Sequence, residues 1–180
     1  MKPPRHAINF TKLHLRWEPR SIFEPRRALL LSDLITPERI KIPLESTNKD
    51  DLLRELVDLA TRDDAISDPG DVLRAVRERE AVLSTGIGHG VAIPHGKSPA
   101  LSELRLAAGY TEAPVDFDAL DGQPVRLFFL LVGPEAAAGA HIKALSRISR
   151  LVRKDDMRQR LLAARDAHEF YQVLREFEGV

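Results

Sequence analysis

The sequence contains no cysteine among its 180 residues. Disulfides, thiolate nucleophiles, iron–sulfur clusters and cysteine-ligated zinc are therefore excluded, and a cytoplasmic location is expected. No apolar run approaches the roughly 20 residues that a membrane span needs, and the N-terminus lacks the apolar block of a signal peptide. With 43% hydrophobic and 30% charged residues, the composition is typical of one globular domain.

The formal net charge is zero, but the charges are unevenly distributed. Residues 1–30 contain seven basic and two acidic side chains and so carry +5, which leaves −5 for the other 150 residues. A mildly acidic body argues against a core that binds nucleic acid. Residues 1–28 contain four prolines and no helical period, which predicts a basic, poorly ordered extension. An alternating apolar pattern over residues 8–17 leaves a short edge strand open there.

The remaining residues, 29–180, show helical and strand patterns in mixed order. Helices are predicted after a cap at Thr47 or Asn48, from Asp68-Pro69 to about Glu80, over residues 140–153, and in two further segments near 161–162 and 170–177. Strands are predicted over residues 39–42, where Pro43 ends the pattern, and over 91–93, 104–109, 115–117 and 125–132. This order predicts an α/β fold, a single domain with a mixed β-sheet flanked by helices on both faces.

The segment over residues 84–96 is dense in glycine, and several nucleotide and hydrolase motifs fail there. A P-loop ending in Gly96-Lys97-Ser98 needs its first glycine at position 91, which is a valine. The dinucleotide fingerprint needs a third small residue at position 91 or 93, where valine and isoleucine stand. The Gly-x-Ser-x-Gly elbow of serine hydrolases is absent from the sequence.

Three histidines are candidate site residues. His89, His95 and His141 are possible metal ligands, but no His-Glu-x-x-His motif or carboxylate triad accompanies them, so we expect no metal and no cofactor. His95 follows a short apolar strand and Pro94 and precedes Gly96. It is either an exposed nucleophile on a glycine-framed turn or a turn histidine bonded to the backbone. His141 falls at the top of the buried face of the helix over residues 140–153.

A longer sequence pattern bears on the choice between these two interpretations of His95. It comprises Arg79-Glu80, the string STGIGHGVAIPHGK over residues 84–97, the string PVDFDALDGQPV over residues 114–125, and His141 with Leu145-Ser146. Together these residues resemble the fructose/mannitol-type enzyme IIA domain of the phosphoenolpyruvate-dependent phosphotransferase system, and the closest likeness is to its nitrogen-regulatory branch. The resemblance runs from about residue 29 to the C-terminus. It departs from the family at His89, where relatives usually have asparagine, and in the additional residues 1–28.

The resemblance implies a phosphotransfer intermediate rather than a stand-alone enzyme. His95 would accept phosphate through Nε2, His141 would be the second active-site histidine, and Arg79 the nearby cation. Backbone amides beside Gly96, and the hydroxyls of Ser84 and Thr85, are candidates to support the phosphate.

The resemblance also implies partners. The donor would be a histidine-phosphorylated carrier protein, and the output would be regulation of protein partners according to phosphorylation state. The alternative is a sugar-specific enzyme IIA that passes phosphate to a IIB domain. A third interpretation is a binding module that keeps the fold and has lost the chemistry.

Overall fold

The structure is a computed structural model that describes residues 29–62 and 66–180. The predicted extension over residues 1–28, with its possible edge strand, lies outside the described residues. Within them, the helices are α1 (Lys49–Ala60), α2 (Pro69–Val82), α3 (Ala138–Val152), α4 (Asp155–Leu162) and α5 (Ala167–Glu178). The strands are β1 (Ile40–Leu44), β2 (Gly86–Gly88), β3 (Val91–Ala92), β4 (His95–Lys97), β5 (Arg105–Val115) and β6 (Val125–Gly133). None of the helices in these two ranges is long and apolar enough to span a membrane.

The helices begin where side-chain caps are available. Asn48 accepts a hydrogen bond from the amide of Asp51 at the start of α1, and Asp68 does the same for Asp71 at the start of α2, where Pro69 occupies the first turn. These caps satisfy amides that have no partner inside the helix. The first cap, predicted at Thr47 or Asn48, is at Asn48, and the predicted cap at Asp68 is confirmed.

The six strands form one mixed sheet in the order β1-β5-β6-β3-β2, and β4 pairs with β6 beyond β3. β5 and β6 are antiparallel, whereas β1 runs parallel to β5, and β3 and β4 run parallel to β6. The prediction that Pro43 ends the first strand is wrong, because β1 continues to Leu44. β1 is an edge strand, and an edge position tolerates a residue without an N–H.

Strand β6 divides the core into two layers. Leu127, Phe129 and Leu131 pack with α3, α4 and α5 on one face of the sheet, and the residues between them pack with α1 and α2 on the other. A strand covered on both faces shows a continuous apolar run instead of alternation. The predicted mixed sheet with helices on both faces is confirmed.

The glycine-dense segment folds as three short strands. β2 and β3 form an antiparallel pair, and the chain then returns to β6, where His95 is paired with Leu131. His95 thus starts a strand, and its predicted place on a turn is wrong, because β6 is long enough to pair with the chain after Pro94. Gly96 is required by packing, since a Cβ there would stand 2.9 Å from the amide nitrogen of Val76 in α2.

Candidate functional site

The fold brings together three of the residues singled out in the sequence. His95 lies at the start of β4, Arg79 in the last turn of α2, and His141 in the first turn of α3. The Nε atom of Arg79 is 3.0 Å from Nε2 of His95. The rings of His95 and His141 have centroids 6.0 Å apart in an edge-to-face arrangement. These three residues form the candidate site.

The hydrogen bonds of His95 define which ring nitrogen carries the proton. Its Nδ1 lies 2.9 Å from the carbonyl oxygen of Ile93. A guanidinium donates hydrogen bonds and cannot accept them, so the Nε2 atom that faces Arg79 must be the acceptor. The proton is then on Nδ1, which donates to Ile93. His95 is therefore a neutral imidazole whose lone pair is at Nε2.

Burial keeps both histidines uncharged near neutral pH. Desolvation, with a further contribution from the Arg79 cation, lowers the pKa of His95 below its ordinary value. Burial, followed by the neighbouring His95 and Lys97, lowers the pKa of His141 to about 4. His141 is 2% exposed, and neither of its ring nitrogens has a hydrogen-bond partner among the described residues. An unpartnered buried imidazole beside a nucleophile can donate to an oxygen that arrives there.

The Arg79 guanidinium is held in place from a second side. Its Nη1 donates to the carbonyl oxygen of Leu83 at 2.9 Å, and the side chain is half-buried. An arginine with five fixed donors is suited to phosphate oxygens. The arrangement thus places a cation directly at the nitrogen expected to react.

The two candidate hydroxyls have other partners. Ser84 Oγ donates to the carbonyl oxygen of Phe117 at 2.8 Å, and the Thr85 hydroxyl donates to the carboxylate of Glu80. Gly96 is buried against α2. The contribution of Ser84, Thr85 and Gly96 to phosphate binding remains a prediction.

His89 lies apart from the site. It occupies the β2–β3 turn, where the next strand pairs with Leu127, whereas His95 pairs with Leu131 further along β6. Its φ of 57° is in the left-handed region, which asparagine and histidine enter more readily than most residues. Its amide donates to Asp121 at 3.0 Å. Among residues 29–62 and 66–180, no group of three side chains is placed to hold a metal ion.

Two charged residues near the site were missed as functional candidates. Glu80 accepts hydrogen bonds from the amide of Thr85 at 3.0 and 3.2 Å, and Lys49 Nζ is 2.8 Å from its carboxylate. A signal for Glu80 was available, because it follows Val76 by four residues and so falls on the buried face of α2. Nothing in the local sequence pairs Lys49 with a residue in the next helix.

Two exposed apolar side chains, Val82 and Leu83, follow Arg79 at the end of α2. The carbonyl oxygen of Leu83 accepts a hydrogen bond from Nη1 of Arg79, so this pair, which we call the apolar rim, adjoins the candidate site. Leu120 and Ile142 are also exposed, but they lie elsewhere: Leu120 lines a depression with His89, and Ile142 lines one with Leu29 and Arg147. Exposed apolar side chains beside a site can contact another protein.

Comparison with known proteins identifies the class. A family model described as "Phosphoenolpyruvate-dependent sugar phosphotransferase system, EIIA 2" matches residues 33–177. The chain belongs to this EIIA family.

Some relatives are named nitrogen regulatory proteins, and others are named components of a fructose-specific phosphotransferase system. A nitrogen regulatory protein of Bradyrhizobium diazoefficiens is 41% identical over 144 residues, covering 80% of this chain and 94% of that protein. A fructose-specific EIIABC component of Bacillus subtilis is 32% identical over 148 residues, which are 82% of this chain and 23% of that protein. Among solved structures, the nitrogen regulatory protein IIA-Ntr of Neisseria meningitidis aligns with a TM-score of 0.75 and 33% identity, covering 80% of this chain and 98% of that one.

Proposed function

We propose that this protein is a cytoplasmic phosphocarrier that accepts a phosphoryl group on Nε2 of His95 from a histidine-phosphorylated carrier protein. The observation that carries the proposal is the neutral imidazole of His95, with its proton on Nδ1 and its Nε2 lone pair facing Arg79. A nucleophilic nitrogen needs an unprotonated lone pair, and the lowered pKa of His95 keeps it so at neutral pH.

The transfer is a displacement at phosphorus. The Nε2 lone pair of His95 forms the new N–P bond while the N–P bond of the donor phosphohistidine breaks, and the donor imidazole leaves with that electron pair and takes up a proton from solvent. His95 keeps its proton on Nδ1, where it stays hydrogen-bonded to the Ile93 carbonyl oxygen. Such reactions need alignment and neutralisation of charge on the phosphoryl oxygens. Arg79 supplies the charge, and His141 supplies an N–H donor.

We propose regulation of protein partners as the output. The relatives named as nitrogen regulatory proteins support this role, and the apolar rim offers a surface on which a protein can dock. A phosphoryl group adds roughly −1.5 to −2 charges at pH 7. Placed beside that rim, the charge would repel a carboxylate or desolvate an apolar contact of a docked partner. Binding would therefore depend on the phosphorylation state.

The second candidate is a sugar-specific enzyme IIA that passes the phosphoryl group from His95 to a IIB domain. The similarity to the fructose-specific component of Bacillus subtilis favours it. The two candidates share the phosphorylation of His95 and differ in the step that follows it. Under the regulatory proposal, phosphorylated and unphosphorylated forms bind different proteins. Under the alternative, the phosphate moves rapidly to a IIB protein and then to a sugar.

The decisive experiment is phosphorylation in a purified mixture of enzyme I, carrier protein and labelled phosphoenolpyruvate. We expect one label, on His95, that is lost in acid and retained in alkali as a phosphoramidate is. His95→Ala should remove the label. A label that persists in His95→Ala would refute the assignment of the acceptor. A native chain that stays unlabelled, while a known enzyme IIA is labelled in the same mixture, would favour a binding module that has lost the chemistry.

A further inference from the structure

The carboxylate of Glu80 is buried beneath the candidate site and saturated with donors. Its side chain is 5% exposed. It accepts from the amide and the hydroxyl of Thr85 and pairs with Lys49 Nζ at 2.8 Å. Lys49 also donates to the carbonyl oxygen of Phe117 at 3.1 Å. A buried carboxylate is retained in a fold only where such partners compensate its lost hydration.

A chain of hydrogen bonds leads from this carboxylate to the imidazole of His95. The carbonyl oxygen of Thr85 accepts from the amide of Ile93 at 2.9 Å. The carbonyl oxygen of Ile93 in turn accepts from Nδ1 of His95 at 2.9 Å. Both polar backbone groups of Ile93 are therefore hydrogen-bonded. Its amide binds Thr85, which Glu80 holds, and its carbonyl binds His95, the expected nucleophile.

We infer that Glu80 is a positioning residue that keeps the Nε2 lone pair of His95 available, acting through Thr85 and Ile93. The inference rests on the proposed function, in which Nε2 is the atom that reacts. An imidazole with its proton on Nε2 has no lone pair there and cannot attack phosphorus. Holding the Ile93 carbonyl against Nδ1 favours the reactive tautomer before any donor arrives, which is preorganisation of the kind that lowers a reaction barrier.

Glu178 is a second buried carboxylate in this chain, and it serves as a matched comparison because it stabilises the fold without a connection to His95 in the described part of the chain. The side chain of Glu178 is fully buried and pairs with Arg147 at 2.6 Å. It accepts from the amides of Leu31 and Ser32 at 2.7 and 2.9 Å. Glu178 thus has the same kinds of partner as Glu80, two backbone or hydroxyl donors and a cation. None of its hydrogen bonds within the described residues leads to His95.

The test compares Glu80→Gln with Glu178→Gln by two measurements. The first is the ¹⁵N chemical shifts of the two ring nitrogens of His95, recorded at a pH well above the imidazole pKa. The second is the rate of phosphorylation by the carrier protein at saturation. In Glu80→Gln we expect the two ¹⁵N shifts to move toward each other, as the second tautomer is populated, and the rate to fall roughly tenfold or more, because hydrogen bonds to charged groups are involved. Glu178→Gln should lower the melting temperature and leave both readouts native.

A second variant covers the case in which Glu80→Gln does not fold. Thr85→Val keeps the volume and the backbone bonds and removes only the hydroxyl bond to Glu80. We expect the same movement of the ¹⁵N shifts and a rate about three- to tenfold lower, the effect of one ordinary hydrogen bond. Native shifts and a native rate in the folded variant would overturn the inference.

The ¹⁵N measurement needs no phosphoryl donor. If the native chain is never phosphorylated, the proposed function fails, while the shifts still decide whether Glu80 positions His95. If the chain is phosphorylated and the shifts in Glu80→Gln are native, the inference about Glu80 fails alone.

Discussion

The guanidinium of Arg79 covers the lone pair of His95, since its Nε donates to Nε2 across 3.0 Å. Arg79 is the cation expected to neutralise the incoming phosphoryl oxygens. In the unphosphorylated protein, its hydrogen bond therefore engages the lone pair of Nε2, the atom expected to attack phosphorus. The phosphoryl oxygens must replace Nε2 as the acceptor when transfer occurs. Arg79 then acts at rest by lowering the pKa of His95, after burial, and during transfer by binding the charge that develops.

Removing this cation should slow phosphorylation strongly. Loss of one oriented donor to a transition state costs about 2.7–4 kcal/mol, so Arg79→Ala should reduce the phosphorylation rate roughly a hundredfold or more. The pKa of His95 should rise, because one cause of its lowering is gone. Rapid-quench labelling and an NMR titration measure the two effects. Arg74→Ala, on the exposed side of the same helix, should leave both unchanged, and a native rate in Arg79→Ala would reduce Arg79 to a surface residue.

Acid should destabilise the fold through His141. Its pKa is about 4 in the folded protein and 6.5 in the reference state, so the unfolded chain binds its proton first as the pH falls. Stability from this residue is intact above pH 6.5 and decreases between pH 6.5 and 4, by roughly 3 kcal/mol in total. Chemical denaturation at several pH values should show the decrease.

His141→Gln provides the comparison for that measurement, because glutamine does not titrate. Its stability should depend less on pH over this window than that of the native protein. His168→Gln, at an exposed position of α5, should retain the native pH dependence. Equal slopes for the native protein and His141→Gln would contradict the expectation.

The histidine at position 89, where the resemblance implies asparagine, should be neutral for phosphotransfer. Asparagine suits a φ of 57° at least as well as histidine, and the amide bond to Asp121 does not depend on the side chain. His89→Asn should therefore be labelled at the native rate and melt at or above the native temperature. His89→Val should melt lower, because a β-branched residue is strained at positive φ. A large rate loss in His89→Asn would connect this turn to the site.

Residues 1–28 should be dispensable. The family model begins at residue 33, and the residues before 29 lack a helical period. A chain that starts at Leu29 should melt within a few degrees of the full chain and be phosphorylated normally. Differential scanning calorimetry and the labelling assay check this. A large loss of stability would show instead that the segment over residues 8–17 contributes to the fold.

Local signals predicted most elements, because they depend on residues close in sequence. The cap at Asp68, the cap of α1 at one of two adjacent residues and the apolar run of β6 were all predicted from such signals. The wrong predictions concern residues whose secondary structure depends on a strand that is distant in the sequence. Pro43 lies within β1 because the strand is at the sheet edge, and His95 starts a strand because β6 pairs with it. Glycine-rich β2 has almost no strand propensity of its own, and it pairs with β3.

The sequence by itself determined the family, the α/β class and the three residues to inspect, because the string around His95 is long and specific and the apolar periods are strong. Tertiary structure alone decided how those residues interact. The tautomer of His95 depends on Arg79, which is 16 positions away, and on the Ile93 carbonyl oxygen, and its neutral state depends on burial. The link from Glu80 through Thr85 and Ile93 needs the last turn of α2 to meet the residue before β2 and the residue after β3. Distances and desolvation arise only when the chain packs, so no local pattern encodes them.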